Sequence, residues 1–274
     1  MVAVQPDLAR IRGVLLDMDG VVYVGDRPLP GVQELLDYLD ATGRGWLFVT
    51  NNASQRPEQF AEKLAGMGIR ACPDRILTSA MATAQWLAAH HPERGPVFMV
   101  GMEGLRWALE QAGFALVDDP FQARFVVCGI DFQVCYPRLA DATLALRHGA
   151  RFIGTNGDRS YPTERGIIPG TGSLLALLQA AAGVEPTVIG KPNPGMYEQA
   201  LQALGTDPGS ALMVGDRYET DILGAARLGM ATAAVLTGIT DRETFERSRP
   251  RPDWILPDLP ALLAAFQAAD RASR

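Results

Sequence analysis

Short continuous apolar runs alternate with stretches of helical period along almost the whole chain. GVLLDM (13–18), WLFVT (46–50), RILT (75–78), VFMV (97–100), FVVC (125–128), RFIG (151–154), TVI (187–189), ALMV (211–214) and ATAAVL (231–236) read as strands. None shows the in–out alternation of a half-exposed strand, so both faces are expected to be covered. Apolar residues at helical spacing lie between the runs. Val32, Leu35, Leu36 and Leu39 end at Gly43, and Pro57 opens a segment carrying Phe60 and Leu64. Later helices begin near Ser79 and Glu103, hold Leu139, Ala142 and Leu146, and run from Ser173 to Gly183. Two more carry Met196, Ala200 and Leu204, and Ile222, Ala225 and Leu228; a last one after Asp258 frays beyond Phe266. Strand–helix alternation predicts an α/β fold with parallel sheets and helices on their faces.

Composition bounds the function. With 47% apolar and 20% charged residues in 274, the chain is a folded globular protein of one large or two smaller domains. Its net charge of −6 argues against a nucleic-acid partner, and any phosphate site must rely on local groups. Cys72, Cys128 and Cys135 form no C-x-x-C pair, which predicts buried or half-buried thiols rather than disulfides or structural zinc. No apolar run is long enough to span a bilayer and the N-terminus lacks a continuous apolar core, so the expected location is the cytoplasm.

Ligands of parallel α/β sheets gather at the carboxyl ends of strands. Four of the runs end in reactive groups. Asp17-Met18-Asp19-Gly20 places two carboxyls two residues apart, one able to attack while the other moves a proton; Asp-Gly is also an ordinary turn pair, but the apolar GVLL before it speaks for a buried site. Thr50-Asn51-Asn52 offers a hydroxyl followed by backbone N–H groups, suited to an anion, although taken alone a strand exit fits as well. Lys191, in Gly190-Lys191-Pro192-Asn193-Pro194, is a point charge held by a restricted backbone. Gly215-Asp216-Arg217-Tyr218-Glu219-Thr220-Asp221 crowds acids at a helix start, where they could bind a hard cation or cap the helix, Asp221 being the more structural of them. Together they supply the set that a dianionic phosphate beside a divalent cation requires.

The ordered set DMDGV, TNN, GKPNPG and GDRYETD, with LPGVQELLDYL, ILTSAMATAQWL, ARFIGTNGD and PGTGSLLALL, resembles the haloacid-dehalogenase-like phosphatases over residues 13–266. More narrowly, it resembles the branch containing p-nitrophenyl, phosphoglycolate and pyridoxal phosphatases and bacterial sugar- or nucleotide-phosphate phosphatases. The resemblance implies that Asp17 is the nucleophile, forming an aspartyl-phosphate, and Asp19 the general acid and base. Thr50, Asn51, Asn52 and Lys191 would bind phosphate. Mg²⁺ would be held by Asp17, the Asp19 carbonyl and Asp216, with Asp221 behind them. It also implies a Rossmann-like core, 1–80 and 186–274, with an α/β cap inserted at 81–185. The 141 residues from Thr50 to Lys191 fit such an insert, being far more than one crossover needs. Asn156 and Tyr161 would lie in a substrate loop spanning TNGDRSYPTERG (155–166), where pyridoxal phosphatases carry His in place of Tyr161, a departure that speaks against pyridoxal phosphate. Met18 and Val21-Val22 are further departures from the common pattern, all apolar. The implied substrate is a small phosphorylated metabolite, and a homodimer through the cap is the implied assembly.

Two alternatives stay open on sequence. A haloacid dehalogenase shares the aspartate nucleophile, but Asp19 and the acidic 215–221 segment have no role there. A non-catalytic phosphometabolite-binding module is compatible with the fold, since fold alone does not give activity.

Overall fold

The computed structural model describes residues 6–163 and 165–273. In chain order its elements are β1 (Gly13–Leu16), β2 (Tyr23–Val24), β3 (Arg27–Pro28), α1 (Val32–Ala41), β4 (Gly45–Thr50), α2 (Pro57–Gly66), β5 (Ile76–Thr78) and α3 (Ser79–His90). Then come β6 (Val97–Val100), α4 (Glu103–Gln111), β7 (Phe125–Cys128), α5 (Tyr136–Arg147), β8 (Arg151–Gly154), β9 (Ser160–Thr163), β10 (Gly166–Pro169), α6 (Thr171–Ala182) and β11 (Thr187–Val188). The chain closes with α7 (Pro194–Leu204), β12 (Ala211–Gly215), α8 (Leu223–Arg227), β13 (Ala231–Val235), α9 (Arg242–Arg247), β14 (Trp254–Leu256) and α10 (Leu259–Ala272). The α/β class read from the alternation is the class observed. The chain divides into two compact units: one through Val49, Ala61–Ile76 and from Tyr197 on, the other Thr50–Phe60 and Leu77–Met196.

The first unit is built on a six-stranded sheet in the order β14-β13-β12-β1-β4-β5. β1 runs parallel to β12 and to β4, with Gly13 opposite both Ala211 and Gly45. The sequence therefore winds outward from β1 through β4 and β5, then returns to the other side of β1 to lay down β12, β13 and β14. This is the doubly wound order, and its switch point falls between β1 and β12. β1, β12 and β13 are buried along their whole lengths, which explains why none of them carries a charged residue. α1 buries Val32, Leu35, Leu36 and Leu39, the stripe expected from their spacing. α10 is capped by Asp258, whose side chain accepts from the Ala261 N–H, and buries Leu259, Leu262 and Phe266.

The second unit carries a parallel sheet in the order β11-β8-β7-β6, each strand beside its predecessor. Its core joins Phe98, Val100, Val126, Cys128 and Phe152 from the strands to Ala142, Leu146, Leu175 and Leu178 from α5 and α6.

Several details differ from the sequence expectation. The last helix does not fray after Phe266 but continues to Ala272. Asp270 holds it there: its carboxylate takes two hydrogen bonds from the Arg44 guanidinium, at 2.9 and 2.5 Å, and one from the Tyr38 hydroxyl at 2.6 Å. The 155–166 segment is not wholly loop, because β9 pairs antiparallel with β10, Tyr161 opposite Ile168. The hydroxyl of Thr163 closes that hairpin onto the Gly166 carbonyl at 2.7 Å. The hairpin of β2 and β3, together with α9 and β14, also went unread. The thiols divide: Cys128 is buried, whereas Cys72 and Cys135 are exposed, against the expectation of covered thiols. Among the described residues no helix is long and apolar enough to cross a membrane.

Two outcomes follow. Burial pushes the Cys128 thiol up to about 12, with the nearby Asp131 charge adding to it, so a maleimide at neutral pH labels two cysteines in the native protein and three after denaturation. Mass spectrometry showing three labels without denaturant would contradict this placement. Asp270→Ala leaves the Arg44 guanidinium buried without its carboxylate and lowers the urea unfolding free energy by about 3 kcal/mol; a loss under about 1 kcal/mol would mean the pair is not a tertiary anchor.

Candidate functional site

In the first unit, the chain leaving β1 delivers Asp17 and the chain leaving β12 delivers Asp216, one on each side of the switch point. Asp221 follows from a π-helical turn, Tyr218–Ile222. Oxygens of these three carboxylates lie within 4.8 Å of one another, and all three residues are buried. Backbone groups hold the acids in place. The Ile239 N–H donates to Asp216 Oδ2 at 2.7 Å, and the Thr240 N–H donates to the Asp216 carbonyl at 3.1 Å. The Arg217 N–H donates to Asp221 Oδ2 at 3.1 Å. The Thr237 hydroxyl donates to the Gly20 carbonyl at 2.5 Å, tying the 17–20 turn to the exit of β13.

Glycines surround the cluster. A Cβ on Gly20, whose φ is +85°, would come within 2.6 Å of the Asp216 carboxylate. One on Gly215 would collide with Asp221, and one on Gly238 with Asp216. Three carboxylates brought together out of water repel unless a positive charge joins them. An all-oxygen donor set of this kind fits a hard divalent cation such as Mg²⁺. The Asp19 carboxylate is not one of the group; Asp19 is half-buried and bridges to Tyr23.

The second unit contributes a different set. Thr50 and Lys191 are each 2% exposed. The Asn52 N–H that the sequence offered to an anion is already engaged, donating to Thr50 Oγ1 at 3.1 Å. A hydroxyl that accepts there keeps its own proton to donate, so Asn52 orients Thr50. The Asn52 side chain is held as well: Ser54 donates to its Oδ1 through N–H and hydroxyl, at 3.0 and 2.6 Å, and its Nδ2 donates to the Tyr161 hydroxyl at 3.3 Å. Tyr161 packs edge-on against Phe132, ring centroids 5.3 Å apart. Asn51 donates through Nδ2 to Asp158 Oδ2 and to the Lys191 carbonyl, both at 3.0 Å. Asn156, expected in a substrate loop, is buried with its amide engaged internally.

The sequence-selected residues thus fall into two local groups, Asp17, Asp216 and Asp221 in one unit and Thr50, Asn51, Asn52, Asn156, Tyr161 and Lys191 in the other. Sequence reading missed Asp158 and the Thr237–Thr240 turn. Asp158 stood inside the TNGD string as one acid among many, and Thr237–Thr240 act through backbone N–H groups and a hydroxyl that leave no charge signature.

Comparison with known proteins places these groups in context. The family model described as haloacid dehalogenase-like hydrolase matches residues 14–115, and one described as HAD-hydrolase-like matches residues 188–262. A protein of Staphylococcus aureus named acid sugar phosphatase is 40% identical over 260 residues, covering 95% of this chain and all of that one. A thermostable NPPase from Geobacillus stearothermophilus superposes with a TM-score of 0.85 at 39% identity, over 91% of this chain and 97% of that one. A 4-nitrophenylphosphatase from Thermotoga maritima gives a TM-score of 0.89 at 34% identity, over 95% of this chain and 99% of that one.

Gly238→Ala drives a methyl group into Asp216, and the expected result is a loss of about 1–3 kcal/mol in the urea unfolding free energy. Unchanged stability would show that Asp216 is not confined as described.

Proposed function

The chain belongs to the haloacid dehalogenase-like hydrolases, in the p-nitrophenyl phosphatase branch, and we propose that it hydrolyses small phosphomonoesters with Mg²⁺ through an aspartyl-phosphate on Asp17. It is a phosphatase. The observation that carries the mechanism is the convergence of Asp17, Asp216 and Asp221 at the switch point of a buried parallel sheet.

In this reading a carboxylate oxygen of Asp17 attacks phosphorus while the ester P–O bond breaks. Asp19 gives its proton to the departing alcohol oxygen. Asp19 then takes a proton from water, whose oxygen attacks phosphorus and breaks the bond to Asp17, releasing inorganic phosphate. The Thr50 hydroxyl, oriented by the Asn52 N–H, donates to a phosphoryl oxygen, and the Lys191 ammonium offsets the charge that gathers on the transferring group. Asp17, Asp216 and the Asp19 carbonyl would hold Mg²⁺, with Asp221 orienting it. When bound, the cation draws negative charge off the phosphoryl oxygens.

Residues 81–185 are read as an inserted domain that helps choose the substrate, within a core of 1–80 and 186–274. The parallel sheet and separate hydrophobic core of the second unit support an insert able to fold around its own centre. The same reading makes the protein a cytoplasmic homodimer through that insert. Sugar phosphates are the first substrate class to examine, given the name of the S. aureus relative.

Hydrolysis of p-nitrophenyl phosphate by the purified protein tests the proposal. Turnover is expected with Mg²⁺, to be lost in EDTA, and to fall by at least about 1,000-fold in Asp17→Asn. Full activity of that variant would remove Asp17 as nucleophile, and turnover undiminished by EDTA would remove the metal.

A further inference from the structure

The second unit contains a hydrogen-bonded cluster that joins four separate stretches of chain at strand exits. Its centre is Asn51. The side-chain amide bridges two acceptors, Asp158 Oδ2 and the Lys191 carbonyl, each at 3.0 Å. Its main-chain carbonyl accepts from the Ser79 hydroxyl at 2.6 Å and from Asn156 Nδ2 at 2.8 Å. Asn156 is held in turn. Its Nδ2 also faces the hydroxyls of Thr155 and Thr171 at 3.3 and 3.2 Å, and its Oδ1 accepts from the Asp158 N–H at 3.1 Å. The Gly172 N–H fixes the Asp158 carbonyl at 2.8 Å, and the Gly190 N–H donates to the Thr155 carbonyl at 2.8 Å.

The chemistry allows little substitution. Two acceptors converge on the Asn51 side chain, so the group there must donate twice; a carboxylate would meet another carboxylate and a carbonyl. Asn51 Oδ1 is buried without a hydrogen-bond partner among the described residues. It lies against Gly190, where an added Cβ would sit 2.7 Å from it. That oxygen is sealed off by the backbone beside Lys191, so neither end of the Asn51 amide is presented to a ligand.

We infer that Asp158 and Asn156 are positioning residues for phosphoryl transfer, acting through Asn51 to set the Lys191 segment and the Thr50–Asn52 turn in one rigid arrangement. The inference rests on the phosphatase reading for its catalytic consequence, but the holding itself does not. Asn156 is an internal strut, not a substrate contact. Asp158 charges one of the two bonds that fix Asn51, and charge-assisted bonds are roughly twice as strong as neutral ones. Losing it frees the amide to rotate, and misplacement of a phosphate-binding group by about 1 Å costs up to about 100-fold in rate.

The test compares Asp158→Ala and Asp158→Asn with the wild type. Asp158 is only half-buried, and a thermal melt of each variant checks its folding first. For Asp158→Ala with p-nitrophenyl phosphate, kcat is expected to fall about 10- to 100-fold while KM stays within about threefold. Asp158→Asn, which keeps an oxygen acceptor for Asn51, is expected to recover most of the rate. A rise in KM at unchanged kcat would make Asp158 a substrate contact and overturn the inference, as would two unchanged constants. If the wild type turns over no phosphoester, the phosphatase reading fails by itself, and backbone hydrogen exchange still decides the holding. Exchange in Asp158→Ala is expected to quicken about tenfold at residues 50–52 and 190–191 and not elsewhere. Unchanged exchange there, or uniform quickening across the protein, would overturn the cluster as a positioning device.

Discussion

Three buried carboxyl groups whose oxygens lie within 4.8 Å of one another organise the first unit. Side chains crowded this closely need their places fixed by the chain, and the surrounding backbone fixes them. Asp17 and Asp216 are delivered by neighbouring strands whose parallel register is fixed from Gly13 to Leu16, so neither carboxylate can retreat. The space they occupy exists because residues 20, 215 and 238 lack side chains. The N–H groups of Ile239 and Arg217 then orient individual oxygens. An all-oxygen donor set fixed in this way suits a hard cation better than a neutral ligand.

The second unit solves the opposite problem. It must hold a lysine and a hydroxyl that are almost wholly buried, and it does so by satisfying the polar groups around them. Asn51, Asn52 and Asn156 supply amide N–H groups, which donate at fixed angles without the counter-ion a charged residue would require. Such networks act as units, since removing one member leaves several buried groups unmatched.

How much of this was legible in the sequence depended on the physical signal each feature leaves. The buried strands were plain, because double-sided covering keeps charged residues out of β1, β12 and β13 altogether. Asp17 and Asp216 were legible because each follows directly on such a run. The short hairpins were not: Tyr23–Val24 with Arg27–Pro28 is too brief to show periodicity. The reach of α10 was underread because the force that extends it comes from Arg44, far away in sequence. Asn156 could be selected but not understood. Its partners, Asn51 and Thr171, are brought to it only by the fold, and an amide signals nothing about whether it faces a ligand or another amide's carbonyl.

The strand order carries a consequence for how the protein comes into being. In the second unit β6, β7, β8 and β11 are laid down side by side in the order they are synthesised, each finding its neighbour already in place. In the first unit β1 waits for β12, since Gly13 has no partner at 211 until most of the polypeptide has been made. Long-range parallel pairing is slow, and domains tend to fold as they emerge. On the ribosome, then, the unit encoded in the middle can be complete while the sheet that carries the acids is still open on one side. The carboxylates meet only at the final docking of the returning chain.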